Sequence, residues 1–184
     1  HADHQRLFVV AELFRRGVSV DAVFEATQID RWFLGHVSGM VELEERAKHM
    51  PLSMYDHDTM LEMKRYGVAD AALAQWNNVT EDEVRAKRKE LSVLPAYRMV
   101  DTCGGEFAAV SPYYYSCYGA ENEYEDNGRE RVCVLGSGPI RIGQGIEFDY
   151  CSVHCVFSLE RMGYDTVIIN NNPETVSTDF DIST

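Results

Sequence analysis

Apolar residues recur at helical spacing through roughly the first 95 residues of the chain. The first predicted helix carries them on one face, at Leu7, Val10, Ala11 and Phe14. Gly17 then supplies a C-terminal stop, and Ser19 opens a short helix over residues 20–26. Asp30 is a good N-cap residue, and it predicts a third helix that extends to about Ala47.

The same pattern returns 50 positions later. Gly67 corresponds to Gly17, and Thr80 corresponds to Asp30. In the second copy Thr80 and Glu83 form the T-x-x-E pattern of a capping box. Two copies predict a small helical bundle with an internal two-fold repeat. The alternative is a chance similarity between two short helical hairpins.

Residues 92–130 do not have a helical pattern. Pro95, the glycines of Cys103-Gly104-Gly105 and the aromatic run 113–115 all disfavour a helix. The aromatic content is too high for a free linker, so we expect this segment to pack along a neighbouring surface. Residues 121–130 are acidic and polar, and they are the predicted linker between two domains.

The pattern changes to strand, glycine loop, helix and strand from Arg131 onward. The predicted strands cover 132–135 and 166–169, and a helix over 148–162 lies between them. The predicted fold is therefore mainly α. A helical bundle domain over 1–120 precedes a linker at 121–130 and a partial α/β segment at 131–184. Two strands do not form a stable sheet alone, so we expect this α/β domain to be incomplete.

Composition narrows the possible functions. The 184 residues are 45% hydrophobic, which is enough to bury a core, and the formal net charge is −13. That charge argues against nucleic acid and against anionic membrane surfaces as partners, and it outweighs the helix-turn-helix appearance of residues 17–47 and 67–91. Five cysteines without a CxxC pair favour reduced thiols and a cytoplasmic location. The first residue is His1 rather than Met, so we expect the chain to begin inside a longer protein.

The glycine loop at 136–145 invites a phosphate-binding interpretation, because backbone N–H groups at a helix start can face a phosphate. However, Arg141 occupies the place of the third glycine of a dinucleotide fingerprint. Asn170 to Asn172 stand where the ribose-binding acid belongs, and no G-K-[ST] follows the loop. A free-standing nucleotide-binding α/β enzyme with a helical accessory domain remains the alternative function.

Two further groups could carry chemistry. Cys151, His154 and Cys155 share a helix face, but a metal site would need a fourth ligand. We therefore expect both cysteines to pack into the core and no metal to bind. Glu147 and Asp149 lie where the loop meets the helix, and helix capping explains them about as well as catalysis does.

Several longer runs resemble carbamoyl-phosphate synthase large chains. The first is GSGPIRIGQGIEFDYC over residues 136–151, and NNPETVSTD over 171–179 follows it. The helical part resembles the family's middle domain through residues 29–34 and the junction at 97–103. One departure is Gly104-Gly105, where the family more often has two alanines.

The resemblance implies an ATP-dependent, glutamine-hydrolysing ligase under allosteric control. It makes carbamoyl phosphate from bicarbonate, glutamine-derived ammonia and two ATP for pyrimidine and arginine synthesis. The parent enzyme uses ATP, Mg²⁺ or Mn²⁺, and K⁺, but its ATP-grasp segments lie elsewhere. We therefore expect no bound cofactor and no catalytic residue in these 184 residues.

The resemblance also assigns roles within the chain. The helical part is the oligomerisation domain, which joins large chains to one another, and the α/β part opens a Rossmann-like pre-ATP-grasp domain. Other implied partners are the remaining domains of the large chain and a glutaminase small subunit. Ile140, Gly145 and Glu147 occupy tunnel-lining positions on the route of carbamate.

Overall fold

The computed structural model divides into two compact units, between Leu94 and Pro95. It describes residues 3–108, 111–136, 138, 147–170, 176–178 and 182. Helices make up the first unit, and short sheets with one long helix make up the second. The fold class expected from the sequence, mainly α followed by a partial α/β segment, is confirmed.

The helical unit contains two triplets of helices. The first triplet comprises α1 (Arg6–Arg15), α2 (Val20–Thr27) and α3 (Arg31–His49). A short 3-10 turn (Leu52–Met54) leads to the second triplet, which comprises α4 (His57–Arg65), α5 (Asp70–Asn77) and α6 (Glu81–Glu90). Helices α2 and α5 begin 50 positions apart and also end 50 positions apart, as the sequence pattern suggested.

The cores of the two triplets use equivalent positions. Val10, Val23 and Leu34 are buried in the first triplet, together with Phe14 and Val41. The residues 50 positions later are buried in the second triplet: Met60, Leu73 and Val84. Each helix therefore places one apolar face inward, as its residue spacing predicts, but Leu7, expected on that face of α1, is exposed.

Helix caps explain where these elements begin. The side chain of Ser19 accepts a hydrogen bond from the Ala22 backbone N–H, and Asp30 accepts one from Trp32. Thr80 and Glu83 make the predicted capping box, with hydrogen bonds in both directions. These contacts satisfy N–H groups that the first helical turn leaves unpaired.

The second triplet also holds an ion network. Asp70 lies between Lys64 and Arg88, at 2.8 and 3.1 Å, and all three side chains are at most 10% exposed. Burial by itself raises the pKa of the Asp70 carboxyl, but the hydrogen bonds from Lys64 and Arg88 outweigh it and hold that pKa below its ordinary value. In the first triplet the positions equivalent to Lys64 and Asp70 are the apolar residues Phe14 and Val20.

The second unit begins with a hairpin of two short strands. Strand β1 (Ala96–Met99) pairs antiparallel with β2 (Tyr114–Cys117). The expectation that residues 1–120 are all helical is therefore wrong for their last part, because the described helices of this region end at Glu90. The placement of the domain boundary within residues 121–130 stays a prediction.

Side chains of residues 122 and 123 cover the free edge of β1. The Asn122 side chain accepts from the Tyr97 backbone N–H at 3.0 Å, and Glu123 accepts from Met99 at 2.7 Å. The Met99 amide, followed by the Arg98 guanidinium, lowers the pKa of the Glu123 carboxyl. Covering an edge in this way keeps its N–H groups from pairing with another strand.

A parallel pair of strands carries the α/β segment. Strand β3 (Arg131–Leu135) pairs with β4 (Asp165–Ile169), and α7 (Glu147–Arg161) connects them in the chain. The buried residues of α7 lie at helical spacing: Asp149, Ser152, Val153 and Val156. This is the predicted strand, helix and strand unit.

Polar residues before β3 anchor the amino end of β4. Arg129 forms an ion pair with the buried Asp165 at 2.8 Å, and the Asn127 side chain donates to the same carboxylate at 3.0 Å. Part of the segment predicted as a linker therefore contacts the sheet.

Candidate functional site

The carboxyl ends of β3 and β4 lie side by side. Leu135 pairs with Ile169 at the end of the ladder, and the Gly136 backbone N–H donates to the Ile169 carbonyl at 2.8 Å. In parallel sheets, ligands commonly bind at this edge, where the loops that follow the strands converge. The glycine loop starts here, so this edge is the candidate functional site.

Gly136 is a glycine because Asn170 leaves no room for a side chain. A Cβ atom at position 136 would lie 2.7 Å from both Cγ and Nδ2 of Asn170. The backbone of β3 can therefore approach the Asn170 side chain closely only without that atom. Position 138 favours glycine for a different reason, because the φ of Gly138, 78°, lies in the left-handed region.

Asp149, in the first turn of α7, connects to the chain beyond β4. Its carboxyl is 1% exposed, and Oδ2 accepts a hydrogen bond from the Ser177 backbone N–H at 2.5 Å. Among the described residues, Oδ1 of Asp149 has no hydrogen-bond partner. The Asn170 Nδ2 donates to the Ser177 hydroxyl at 3.4 Å. We call Gly136, Asp149, Asn170 and Ser177 the strand-end cluster.

The strand-end cluster can hold loops together, but it is poorly suited to bind phosphate. Its side chains are one carboxyl, one amide and one hydroxyl, so within it no cation faces the edge of the sheet. Phosphate sites in proteins combine backbone N–H groups with Lys or Arg, or with a metal ion. The carboxyl of Asp149 would instead repel a phosphate.

The side chains at the tunnel positions taken from the resemblance lie outside the described part of the chain. Ile140 and Gly145 lie outside the described residues. Glu147 is the first residue of α7, and its side chain also lies outside the described part. Their assignment stays a prediction.

The sequence drew attention to Asp149 but did not indicate its contact. Capping and catalysis were the two interpretations, whereas the carboxyl bonds to a backbone amide 28 residues further along the chain. Asn170 was considered only as the residue standing where a ribose-binding acid belongs, and Ser177 only as part of a family motif. The one local signal was a glycine directly after a strand, which often marks a close backbone approach.

The expectation that Cys151 and Cys155 pack into the core is wrong. Both are exposed in the described part of the chain, and so is His154. The inward face of α7 is taken by residues one position away, including Ser152 and Val156. No group of three or more His, Cys, Asp or Glu side chains among the described residues is arranged to hold a metal ion.

Within the described ranges, no helix combines the length and the apolar character needed to cross a membrane.

Comparisons with known proteins agree with this architecture. The family model described as "Carbamoyl-phosphate synthetase large chain, oligomerisation domain" matches residues 1–92. A second, described as "Carbamoyl phosphate synthase preATP-grasp domain", matches residues 128–184. The two matches correspond to the helical unit and to the segment that contains β3, α7 and β4.

Curated relatives match almost the whole chain. The arginine-specific carbamoyl phosphate synthase large chain of Geobacillus stearothermophilus is 52% identical over 182 residues. The large chains of Agathobacter rectalis and Pseudomonas aeruginosa are each 49% identical, over 182 and 179 residues. The matches cover 97–98% of this chain but only 17% of each relative. The chain belongs to the family of carbamoyl-phosphate synthase large chains.

Proposed function

We propose that the chain is a non-catalytic structural region of the large subunit of a glutamine-hydrolysing carbamoyl-phosphate synthase. The parent makes carbamoyl phosphate in the cytoplasm from bicarbonate, glutamine-derived ammonia and two ATP, for pyrimidine and arginine synthesis. In this proposal the ATP sites lie in other domains. The helical unit joins large chains, and the segment from β3 to β4 forms part of the wall along which carbamate passes to the second ATP site.

The close contact between Gly136 and Asn170 carries this proposal. In a dinucleotide site, the glycines after the first strand leave space for the pyrophosphate to reach the backbone. Here the Asn170 side chain fills the space beside Gly136, within 2.7 Å of where a Cβ would lie. The strand-end cluster therefore does not fit a nucleotide phosphate. This argues against the alternative, a free-standing nucleotide-binding enzyme, and favours a structural wall.

A wall role requires the loops at the strand ends to hold a fixed shape. The hydrogen bonds among Asp149, Asn170 and Ser177 connect the start of α7 to the segments on both sides of residues 171–175. In this proposal carbamate, which is small, passes along the strand ends that these hydrogen bonds hold in place.

The test is Glu147→Gln in the full-length large chain with its small subunit. We expect the partial reactions to continue, namely bicarbonate-dependent ATP hydrolysis in the first half and ATP formation from ADP and carbamoyl phosphate in the second. Glutamine-dependent synthesis of carbamoyl phosphate should fall. Glu90→Gln, at the exposed end of α6, is the matched control. Unchanged overall synthesis in a stable Glu147→Gln enzyme would contradict the proposed wall role.

The role of the helical unit rests on its exposed apolar residues. Leu7, Phe8 and Val9 of α1 are consecutive, and they are 61%, 72% and 53% exposed. Contiguous exposed apolar side chains often mark a surface that another protein covers. We infer that this exposed stretch of α1, which we call the α1 patch, takes part in contacts between large chains.

A further inference from the structure

The outward side of α3 has the residue spacing of a buried helix face. Five residues follow one another there at positions i, i+3, i+4, i+7 and i+8, and we call them the α3 stripe: Trp32, Gly35, His36, Gly39 and Met40. Trp32 is 65% and Met40 is 53% exposed, whereas Leu34 and Val41, on the opposite side of α3, are buried in the first triplet. A helix with apolar residues on two sides is typical of helices that are covered on both sides.

The same face of α3 is covered further along the helix. Leu43 and Ala47 continue the spacing of the α3 stripe, and both are buried. In this half α3 packs against α5, and the Asn77 side chain at the end of α5 donates to the Ala47 carbonyl at 3.5 Å. A helix therefore occupies the carboxyl-terminal half of this face, while the amino-terminal half, which carries Trp32, is exposed.

The internal repeat shows that the helical fold does not require an apolar surface at these positions. Residues 32–41 contain no Asp, Glu, Lys or Arg, whereas the equivalent residues 82–91 of the second triplet are mostly charged. The position equivalent to Gly39 is Lys89, which is exposed on α6. An uncharged surface favours contact between two copies of this chain, because each copy has a net charge of −13 and like charges repel.

The shape of the α3 stripe is complementary to itself. A Cβ atom at Gly35 or Gly39 would meet no described atom within 4 Å, so the two glycines form a groove between the larger side chains. The Trp32 ring lies beside this groove and packs edge-on against His36, with ring centroids 4.2 Å apart. Small residues at a contact allow two helices to approach closely, and a large side chain of one helix fits the space they leave on the other.

A two-fold axis brings these features together. If two copies of α3 pack antiparallel about an axis midway between residues 35 and 36, Trp32 of each copy lies opposite Gly39 of the other. The same axis places His36 of each copy opposite Gly35 of the other. A contact between identical surfaces requires this reciprocity, in which each large side chain faces a small residue on the second copy.

We propose that the α3 stripe is a contact surface on which a second copy of this chain packs its own α3 in the antiparallel direction. The inference rests on the proposed function, in which the helical unit joins large chains, and it adds a surface on a different helix from the α1 patch. The family model that matches residues 1–92 is described as an oligomerisation domain, which supports a second copy as the occupant. The stripe has no Lys or Arg with which to bind a nucleic acid.

The test is Gly39→Gln, made in the 184-residue chain with Phe8→Asp so that the α1 patch does not contribute. A long side chain at position 39 would occupy the space of the Trp32 ring from the other copy. We therefore expect the dissociation constant, measured by analytical ultracentrifugation, to rise by at least about tenfold. The variant should fold at least as well as its parent, because glutamine favours a helix interior more than glycine does.

Lys89→Gln is the matched control for this substitution. It places the same side chain at the equivalent exposed position of α6, so the dissociation constant should stay within about twofold of that of the parent. Trp32→Ala removes the large side chain instead of filling the groove, and it should also raise the dissociation constant by at least about tenfold. Trp32 is largely exposed in the single chain, so this substitution should leave folding intact.

Hydroxyl-radical labelling with mass spectrometry measures the contact directly. As the concentration of the chain rises, oxidation of Trp32 should fall severalfold, whereas oxidation of Trp76 in α5 should not change. Gly39→Gln should abolish this protection of Trp32. In the full-length large chain, protection of Trp32 at a concentration where that chain is monomeric would overturn the inference, because another domain of the same chain would then cover the stripe.

The results separate this inference from the proposed function. If Gly39→Gln and Lys89→Gln have equal dissociation constants, or if Phe8→Asp alone makes the chain monomeric, the inference fails, but the joining of chains through the α1 patch stands. A chain without any of these substitutions that stays monomeric at every concentration would contradict both the inference and the joining role of the helical unit.

Discussion

At the scale of single residues, the ends of α1, α4 and α6 share one geometry, and α5 and α7 end in the same way at Asn78 and Gly163. Gly17, Gly67 and Ser92 have φ values of 78°, 81° and 58° at the ends of α1, α4 and α6. After each of them a valine N–H donates back to the helix, to the carbonyls of Leu13, Met63 and Arg88. The left-handed residue lets the chain turn so that this bond can form. Two of the three positions use glycine, which adopts that conformation without steric cost.

The first prediction concerns Gly17. A Cβ atom there would meet nothing within 4 Å, so Gly17→Ala should destabilise only through the backbone, by about 1–2 kcal/mol. Gly35→Ala is the control: it lies inside α3 with equal space, and it should stabilise by about 1 kcal/mol. Urea unfolding followed by tryptophan fluorescence measures both, since Trp32 and Trp76 are both in the helical unit. Equal effects of the two substitutions would refute the backbone explanation.

The second prediction concerns the contact at the strand ends. In Gly136→Ala the new methyl group would overlap Asn170, which must then move away from Ser177. Overpacking of this kind costs about 1–3 kcal/mol, and it should speed amide exchange in β4. Both tryptophans lie outside this unit, so fluorescence should not change and hydrogen exchange is the suitable measurement. Exchange in β4 at the wild-type rate would show that Asn170 adapts without cost.

At the scale of secondary structure elements, the two triplets have equivalent helices but bury different kinds of side chain. The first triplet fills its core with apolar side chains, whereas the second adds the ion network of Lys64, Asp70 and Arg88. Buried ion pairs often contribute little net stability, but removing one partner leaves uncompensated charge behind. The packing of α4, α5 and α6 against one another therefore depends on the Asp70 carboxylate.

The third prediction follows from that dependence. Asp70→Ala should destabilise the helical unit by about 3–5 kcal/mol at neutral pH, because two largely buried cations lose their shared partner. The pKa of Asp70 is lowered in the folded state, so its contribution is complete above the ordinary pKa of about 4 and is lost as the pH falls through the lowered value. The stability difference between wild type and Asp70→Ala should therefore shrink below about pH 4.

The control for Asp70 is Asp58→Ala. The Asp58 side chain is 94% exposed on α4, so its removal should change stability by no more than about 0.5 kcal/mol. Urea unfolding at several pH values, followed by tryptophan fluorescence, measures both variants. A pH-independent gap between wild type and Asp70→Ala would show that the lost stability is packing rather than charge.

The elements that the sequence predicted well are those determined by neighbouring residues. Caps and glycine stops act within one turn, so Ser19, Asp30 and the Thr80–Glu83 box located the helix starts correctly. The hairpin of β1 and β2 was missed because each strand has only four residues and its edge is covered by Asn122 and Glu123 from later in the chain.

The contacts of the strand-end cluster, like the hairpin, could not be predicted from neighbouring residues in the sequence. The glycine loop was evident from its composition, but the contact of Asp149 with Ser177 joins residues 28 positions apart and leaves no local pattern. The orientation of α7 was mistaken for a related reason. Its inward face includes Asp149 and Ser152, which hydrophobicity alone places outward, so the cysteines one position away were assigned to the core instead.

At the scale of the whole molecule, the fourth prediction addresses association. If the α1 patch joins large chains, the 184-residue chain should show a mass that rises with concentration in light scattering. Phe8→Asp should lower the measured mass toward that of the monomer, because a charge in an apolar interface must be desolvated. Met162→Asp, at a residue 70% exposed in the other unit, is the control. Equal behaviour of the two variants would exclude the α1 patch as the contact.

The fifth prediction is that this chain alone is catalytically silent. Phosphoryl transfer depends on groups that position the phosphates and neutralise their charge, and the strand-end cluster offers no such cation. Incubation with ATP, Mg²⁺, bicarbonate and ammonia should give no carbamoyl phosphate above the uncatalysed background. Product above that background would contradict the proposal that catalysis takes place in other domains of the large chain.

The repeated triplets have a consequence for how the chain folds during synthesis. Each triplet completes its core within about 45 residues, whereas β4 reaches β3 only after the loop and α7 have been made. Local contacts form quickly because they require little loop closure. We therefore expect the helical unit to fold first, while the rest of the chain is still being synthesised. The parallel strands, whose terminal residues Leu135 and Ile169 are 75% and 53% exposed, would then assemble after the helical unit has folded.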